Sequence, residues 1–382
     1  MPNGIDMPSE NKQFVSNLTR YEILALDGEI NVSDGHPRQG PSTRQQAIID
    51  RLPQLFRSSA QESFAQLETR AQRAFLHSIG QYGAPVDEGR VLSCYSSSVA
   101  MDVVARSLAE KCSTIGLIHP TFDNIPDLLR GWGHRLVPLE EAELADGRVP
   151  TTPELDAVFL TVPNNPTGFH IGPDALLSIA EHCVRRGLVL VLDTCFRGFV
   201  SAEREDTYRL LDRTGAQYVV IEDTGKLWPL SELKLGLVAY SENCSLALRE
   251  HLSDILLTVS PLILALVAEF AEDGREGGYR RLHSLIAANR RALTDALAGT
   301  GATVPGPTAD VSVSLVELPA HLTARDVWQD LRNAGLHVLP GGHFFWADAP
   351  RGDRYIRVAL GRDTEVVEKA AGFLRDYLTS AK

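Results

Sequence analysis

Short, continuous apolar runs alternate with stretches of helical period from Val91 to Tyr240, and this alternation restricts the fold of the 382-residue chain more than any other feature. The candidate strands are Arg90–Cys94, Thr114–Ile118, Arg135–Pro138, Ala157–Val162, Leu188–Leu192, Tyr218–Ile221 and Leu237–Tyr240, with helices such as Ser98–Glu110 and Pro173–Arg186 between them. A strand covered by helices on both faces has no solvent side, so it reads as one apolar run instead of alternating. The pattern predicts an α/β architecture around a mostly parallel sheet. After about residue 260 the order changes. A long helix, Gly278–Leu297, is followed by an antiparallel-looking set, Val311–Leu318, His337–Pro340 and Tyr355–Leu360, and by a closing helix, Thr364–Tyr377. This block is expected to form a smaller α+β domain, because a chain of this length exceeds one ordinary core. The expected division is residues 1–44 as an arm or lid and part of the small domain, 45–260 as the large domain and 261–382 as the small one.

Outside that frame, residues 1 to about 18 read as a mobile arm, Tyr21–Leu26 as a short helix and Ser58–Gln81 as a longer one. Ile255–Phe270 reads as a buried helix, too short for a membrane span and interrupted by Ser260 and Pro261. A formal net charge of -12 disfavours nucleic acid and anionic membranes, both of which reward basic patches. The polar start, MPNGIDMPSENKQ, has no apolar signal core. The five cysteines are scattered without a CxxC, which fits reduced thiols, a cytoplasmic protein and no structural zinc.

Four segments carry candidate chemistry. Asn164-Asn165-Pro166-Thr167-Gly168 closes a strand; it is either a plain turn or a place where an asparagine donates to a ligand above the sheet. Asp193 ends the run Leu190-Val191-Leu192, where it is either a helix cap or a partner for a cationic ring. Lys226, in Glu222-Asp223-Thr224-Gly225-Lys226, is either a solvated strand-end lysine or an amine poised for a Schiff base. Ser96, Ser97 and Ser98, between a strand and a helix, form either an N-cap cluster or a phosphate cradle.

The order and spacing of Asn165, Asp193, Lys226 and Lys234 resemble those of the fold-type I, class I/II aminotransferases, from about residue 40 to the end. The resemblance implies an aspartate-aminotransferase-like fold with a seven-stranded sheet and pyridoxal phosphate (PLP) as cofactor. It further implies that Lys226 forms the Schiff base, Asp193 pairs with the ring nitrogen and Asn165 contacts the phenolate oxygen. Lys234 and the three serines would hold the phosphate. Phe122 resembles the aromatic that stacks on the ring, and Arg357 the arginine that forks onto the substrate α-carboxylate. A homodimer is expected on the same analogy. Three positions depart from the pattern. Phe196 stands where a tyrosine is usual, Asp223 where a hydroxyl residue contacts the phosphate, and Lys234 where an arginine is usual.

A narrower group is closer: the streptomycete PLP-dependent L-arginine oxidases and hydroxylases of the L-enduracididine type. The matching segments include Asn17-Leu18-Thr19, Asp34-Gly35-His36, Ser93-Cys94-Tyr95-Ser96-Ser97-Ser98, His119-Pro120-Thr121-Phe122-Asp123-Asn124, Glu222 to Pro229 and Ser253-Asp254-Ile255-Leu256-Leu257. This resemblance implies oxidation of L-arginine in antibiotic or natural-product biosynthesis, with molecular oxygen as co-substrate and neither metal nor flavin. The products would be 2-oxoarginine or, where water adds at C4, 4-hydroxy-2-oxoarginine, with ammonia and hydrogen peroxide. His36 is the candidate for proton handling. Thr19, Glu22 and Asp34 are the candidates for the guanidinium, although Glu22 three residues after Thr19 also fits a capping box. The arm could then close as a lid. The competing readings are an arginine desaturase or simple oxidase, a conventional aminotransferase for a basic amino acid, and a non-catalytic regulator, which an intact Lys226 and Asp193 disfavour.

Overall fold

The computed structural model describes residues 17–151, 153–200, 206–230, 233–307 and 309–381. The arm expected over residues 1 to about 18 lies outside them up to residue 16. The strands, in chain order, are β1 (Ile30–Asn31), β2 (Val91–Cys94), β3 (Thr114–His119), β4 (Arg135–Glu140), β5 (Ala157–Thr161), β6 (Val189–Asp193), β7 (Tyr218–Asp223), β8 (Gly236–Tyr240), β9 (Val313–Glu317), β10 (Leu336–His337), β11 (Leu339–Pro340) and β12 (Tyr355–Ala359).

Seven of them form one mixed sheet in the order β2-β8-β7-β6-β5-β3-β4, the α/β architecture that the alternating pattern predicts. All its neighbours run parallel except β8, which is antiparallel to both β7 and β2. The inner strands β3, β5, β6 and β7 are buried at every position, as their unbroken apolar runs require. β4 lies at the edge and carries Pro138, which cannot donate to a ladder and is tolerated where one side faces outward. Helices Ser97–Ala109 and Pro173–Arg186 cover the sheet; Gly187, at φ 67°, ends the second in the left-handed conformation that glycine adopts without a Cβ clash.

A second sheet, β11-β12-β9, is antiparallel, and β1 pairs with β10 in parallel, Ile30 opposite Leu336. The N-terminal segment is thereby tied to the C-terminal part of the chain. Helices Tyr279–Leu297 and Thr364–Ser380 pack on one another beside these strands.

Three sequence expectations change. The helical run over 58–81 is two helices, Leu52–Ser59 and Phe64–Ser78. The run Ile255–Phe270 is not one buried helix: the helix starts at Pro261, where proline suits the first turn, and Ile255 and Leu257 are 49% and 96% exposed. The first helix is Leu18–Leu24, and its N-cap is Asn17, whose side chain accepts from the Arg20 N–H at 3.0 Å, so Thr19 and Glu22 do not form a capping box.

Candidate active site

Open α/β sheets bind ligands beyond the carboxyl ends of their strands, where loops of several strands converge. Here the loops after β2, β3, β5, β6 and β7, together with the first helix and β12, enclose a cavity of about 240 Å³. Thr19, Glu22, His36, Ser96, Ser97, Ser98, Phe122, Asn165, Asp193, Phe196, Asp223, Lys226, Lys234 and Arg357 all line it. Of the residues singled out in the sequence, only Asp34 is absent from that lining.

Lys226 lies just past β7. The turn before it is fixed by Thr224, whose hydroxyl donates to the Leu233 carbonyl at 2.5 Å and accepts from the Leu235 N–H at 2.9 Å. The Lys226 ammonium stands 5.9 Å from the Phe196 ring centroid and 3.5 Å from His36 Nε2. A ring without a hydroxyl gives this lysine a cation–π neighbour in place of a hydrogen-bond partner. His36 is pushed down to about 4, first by the Lys226 charge and then by burial, with Asp34 pulling the other way. The imidazole is therefore neutral at pH 7 and able to take a proton.

Asp193 ends β6 and accepts from the Cys195 N–H at 3.1 Å. Burial raises its carboxyl to about 6. A protonated ring nitrogen would supply the cation that favours its ionised form. Ser96 caps the helix Ser97–Ala109, accepting from the Val99 N–H at 3.3 Å, so the helix N-terminus meets the cavity. A Cβ on Gly236 would lie 2.5 Å from the Ser96 carbonyl carbon, so β8 approaches this cradle only because residue 236 is glycine. Asp223 accepts from the Ser97 hydroxyl and the Gly225 N–H, both at 2.5 Å. The carboxylate thus occupies two donors of the sort that a phosphate would use.

Of the paired asparagines, Asn164 is structural, its amide donating to the Pro120 carbonyl and to Glu141, both at 2.7 Å. Asn165 faces the cavity, and its oxygen accepts from Arg357 Nη1 at 3.1 Å, which leaves the amide N–H₂ for other work. Arg357 is fully buried; Nη2 donates to the Ser33 carbonyl and, at 3.0 Å, to Glu22, while Phe122 and Phe344 flank the guanidinium.

Asp34, expected near the guanidinium, stands outside the cavity lining. Its carboxylate is 2% exposed and already engaged: Arg38 donates at 3.0 Å, Arg362 at 3.2 Å and the His36 N–H at 3.1 Å. Burial opposes its charge, but the His36 imidazole, with Nδ1 3.6 Å from Oδ1, and the two guanidiniums overcome this and hold the carboxyl well below its usual range. It accepts from the backbone N–H of His36 and so helps to fix the loop that carries that residue into the cavity. Arg362, which no motif marked, also donates to the carbonyls of Asn31, Asp34, His36 and Gly361 at 2.6–3.0 Å. Thr161 and Cys195 line the cavity as well, and nothing in their local sequence signalled it.

A model of the family described as "Aminotransferase class I and II" matches residues 28–374. The chain belongs to that family. It is 28% identical over 231 residues to a probable aminotransferase of Mycobacterium tuberculosis, covering 59% of this chain and 52% of that protein. It is 25% identical over 229 residues to LL-diaminopimelate aminotransferase of Dehalococcoides mccartyi, covering 59% and 57%. The matched stretch thus spans little more than half the length of these curated relatives. Among solved structures, MppP soaked with the product 2-ketoarginine has a TM-score of 0.89 at 46% identity, covering 91% of this chain and 99% of that one. Aspartate aminotransferase from Thermus thermophilus with maleate has a TM-score of 0.76 at 16% identity, covering 94% and 96%, a likeness of fold alone.

The cavity suits the PLP of this family. Lys226 offers the amine, Asp193 a carboxylate with no close cation but Lys226 among the described residues, and the helix N-terminus at Ser96 with Lys234 a seat for a phosphate. Among the described residues, no helix is long and apolar enough to cross a membrane.

Proposed function

We propose that this protein oxidises L-arginine, with dioxygen as the electron acceptor. The observation that carries the reading is the 46% identity, across 91% of the chain, to a protein whose structure was soaked with the product 2-ketoarginine. The cavity supports it. Arg357 supplies a buried guanidinium for an α-carboxylate, and Glu22 and Thr19 supply acceptors for a side-chain cation.

Lys226, Asp193, Asn165, Phe122, Lys234 and the serine cradle would hold PLP, which when bound supplies an electron sink conjugated to the substrate Cα. The chain's own residues do the rest. Lys226 Nζ takes the Cα proton. Asp193 holds a proton at the ring nitrogen. Phe196 and Asp223, in place of a tyrosine and a hydroxyl residue, change the hydrogen bonds and charge around the cofactor and favour electron transfer to oxygen over storage for a second keto acid. His36 Nε2, 3.5 Å from Lys226 and neutral at pH 7, accepts a proton from water or from the substrate side chain. The helix Leu18–Leu24 covers the cavity and excludes water. Each dioxygen leaves as hydrogen peroxide and the amino group as ammonia. The organic product is 2-oxoarginine, or 4-hydroxy-2-oxoarginine after a second oxidation and addition of water at C4. The active form is a homodimer in the cytoplasm, and the nearly bare side chain of Leu257 suits cover by a second copy.

The test supplies purified holoenzyme with L-arginine and no keto acid, following dissolved oxygen, peroxide and products. Oxygen uptake with keto-acid formation is expected. Turnover only after a keto acid is added, without oxygen uptake, would identify a conventional aminotransferase and refute the reading.

A further inference from the structure

The carboxylate seat on Arg357 is already taken by an anion of the protein. Glu22 Oε1 is 3.0 Å from Arg357 Nη2, and its side chain is 16% exposed against 1% for Arg357. No other carboxylate pairs with Arg357 within ion-pair distance among the described residues. Arg357 Nη1 is held by Asn165 at 3.1 Å, and Nε is buried without an acceptor among the described residues. The guanidinium cannot turn away, because Phe122 and Phe344 flank it at 5.9 and 5.2 Å. Glu22 stands on the helix Leu18–Leu24, whose first N–H donates to Asp123 Oδ2 at 2.7 Å, so its backbone is fixed beside the site.

An incoming carboxylate therefore competes with Glu22 for one desolvated cation, and the two anions repel. If Glu22 turns away with nothing to replace Arg357, a carboxylate is left unpaired in a largely buried place, which is costly. A ligand that brings its own cation removes that cost. One ion pair within the protein is exchanged for two between protein and ligand.

We propose that Glu22 and Arg357 form an exchange pair that selects substrates charged at both ends: a ligand gains the carboxylate seat only when its other end supplies a cation to Glu22. The identity of that cation rests on the arginine reading; the exchange itself does not. Glu22 is thus more than an attractive contact for a guanidinium. It also acts against amino acids with neutral side chains, which would have to break the pair and leave Glu22 bare.

The experiment measures dissociation constants of L-arginine, L-lysine and L-norleucine for the holoenzyme without oxygen, by calorimetry and cofactor absorption. Wild type is compared with Glu22→Gln and Glu22→Ala. Pentanoate binding to cofactor-free protein provides a second readout that needs no chemistry. In both variants norleucine and pentanoate are expected to bind about tenfold more tightly and arginine about tenfold more weakly, narrowing the preference for arginine over norleucine by about 100-fold. Norleucine and pentanoate binding that is unchanged or weaker in both variants would overturn the exchange. If wild type prefers lysine over arginine while norleucine still tightens in the variants, the arginine reading fails and the exchange stands.

Discussion

Replacing Asp34 with asparagine separates the role that the sequence suggested for it from the one that the structure assigns. The substitution keeps the shape and one acceptor oxygen and removes the charge that Arg362 faces. Both side chains are 3% exposed and 3.2 Å apart, so solvent screens little of the pair. Removing one partner of a buried ion pair typically costs ~3–5 kcal/mol. Arg362 keeps four backbone carbonyls at 2.6–3.0 Å, and asparagine can still accept, so the cost falls to the bottom of that range or just below it, about 2–3 kcal/mol. Arg38, with 41% of its side chain exposed, adds little. The pH dependence follows from linkage. The folded carboxyl is held below its ordinary value of 3.8, so Asp34 contributes its full stabilisation above that value. The contribution is lost as pH falls through the lowered folded value. Urea unfolding of the holoenzyme should show a gap of about 2–3 kcal/mol between wild type and Asp34→Asn at pH 7 that narrows below about pH 4. Arginine affinity, measured by calorimetry, should fall much less than it does for Glu22→Gln. Unchanged stability with a large loss of arginine affinity would refute this reasoning and return Asp34 to the substrate.

Other outcomes test the site more directly. Lys226→Ala should lack the Schiff-base absorption band after loading with PLP. In the cofactor-free protein the same change should raise His36 from about 4 toward 6.5, because the nearest cation is gone; histidine NMR titration reads the shift, and a fall would contradict the contact. His36→Ala should lower the hydroxylated share of product by roughly 10²-fold or more while ketone formation persists, as product chromatography would show; loss of all turnover would point to folding or binding instead. Gly236→Ala sets a Cβ 2.5 Å from the Ser96 carbonyl carbon, so PLP affinity, followed by fluorescence, should drop by at least about tenfold; unchanged affinity would mean that the cradle does not depend on this close approach.

The seven strands of the large sheet were legible because each is a local signal. A strand covered on both faces is apolar along its middle, and β3, β5, β6 and β7 are buried at every position with their polar residues confined to the ends. Lys226, Asp193 and Asn165 were legible because strand ends and their order along the chain are also local, and the parallel sheet gathers those ends by construction. The segment 255–260 misled because apolar composition does not distinguish a buried helix from exposed backbone before a proline.

What the sequence by itself determined is thus the sheet, the family and most of the residues that line the cavity. Only the tertiary structure decided which charges face one another. Glu22 meets Arg357 across 335 residues of sequence, Arg362 meets Asp34 across 328, and His36 meets Lys226 across 190. A carboxylate carries no mark of which guanidinium it will neutralise, because ion pairing depends on distance and desolvation that exist only after the chain has packed. That is why Asp34 and Glu22 read alike as acids near the cavity, whereas packing set Asp34 against Arg362 and the His36 loop and Glu22 against Arg357.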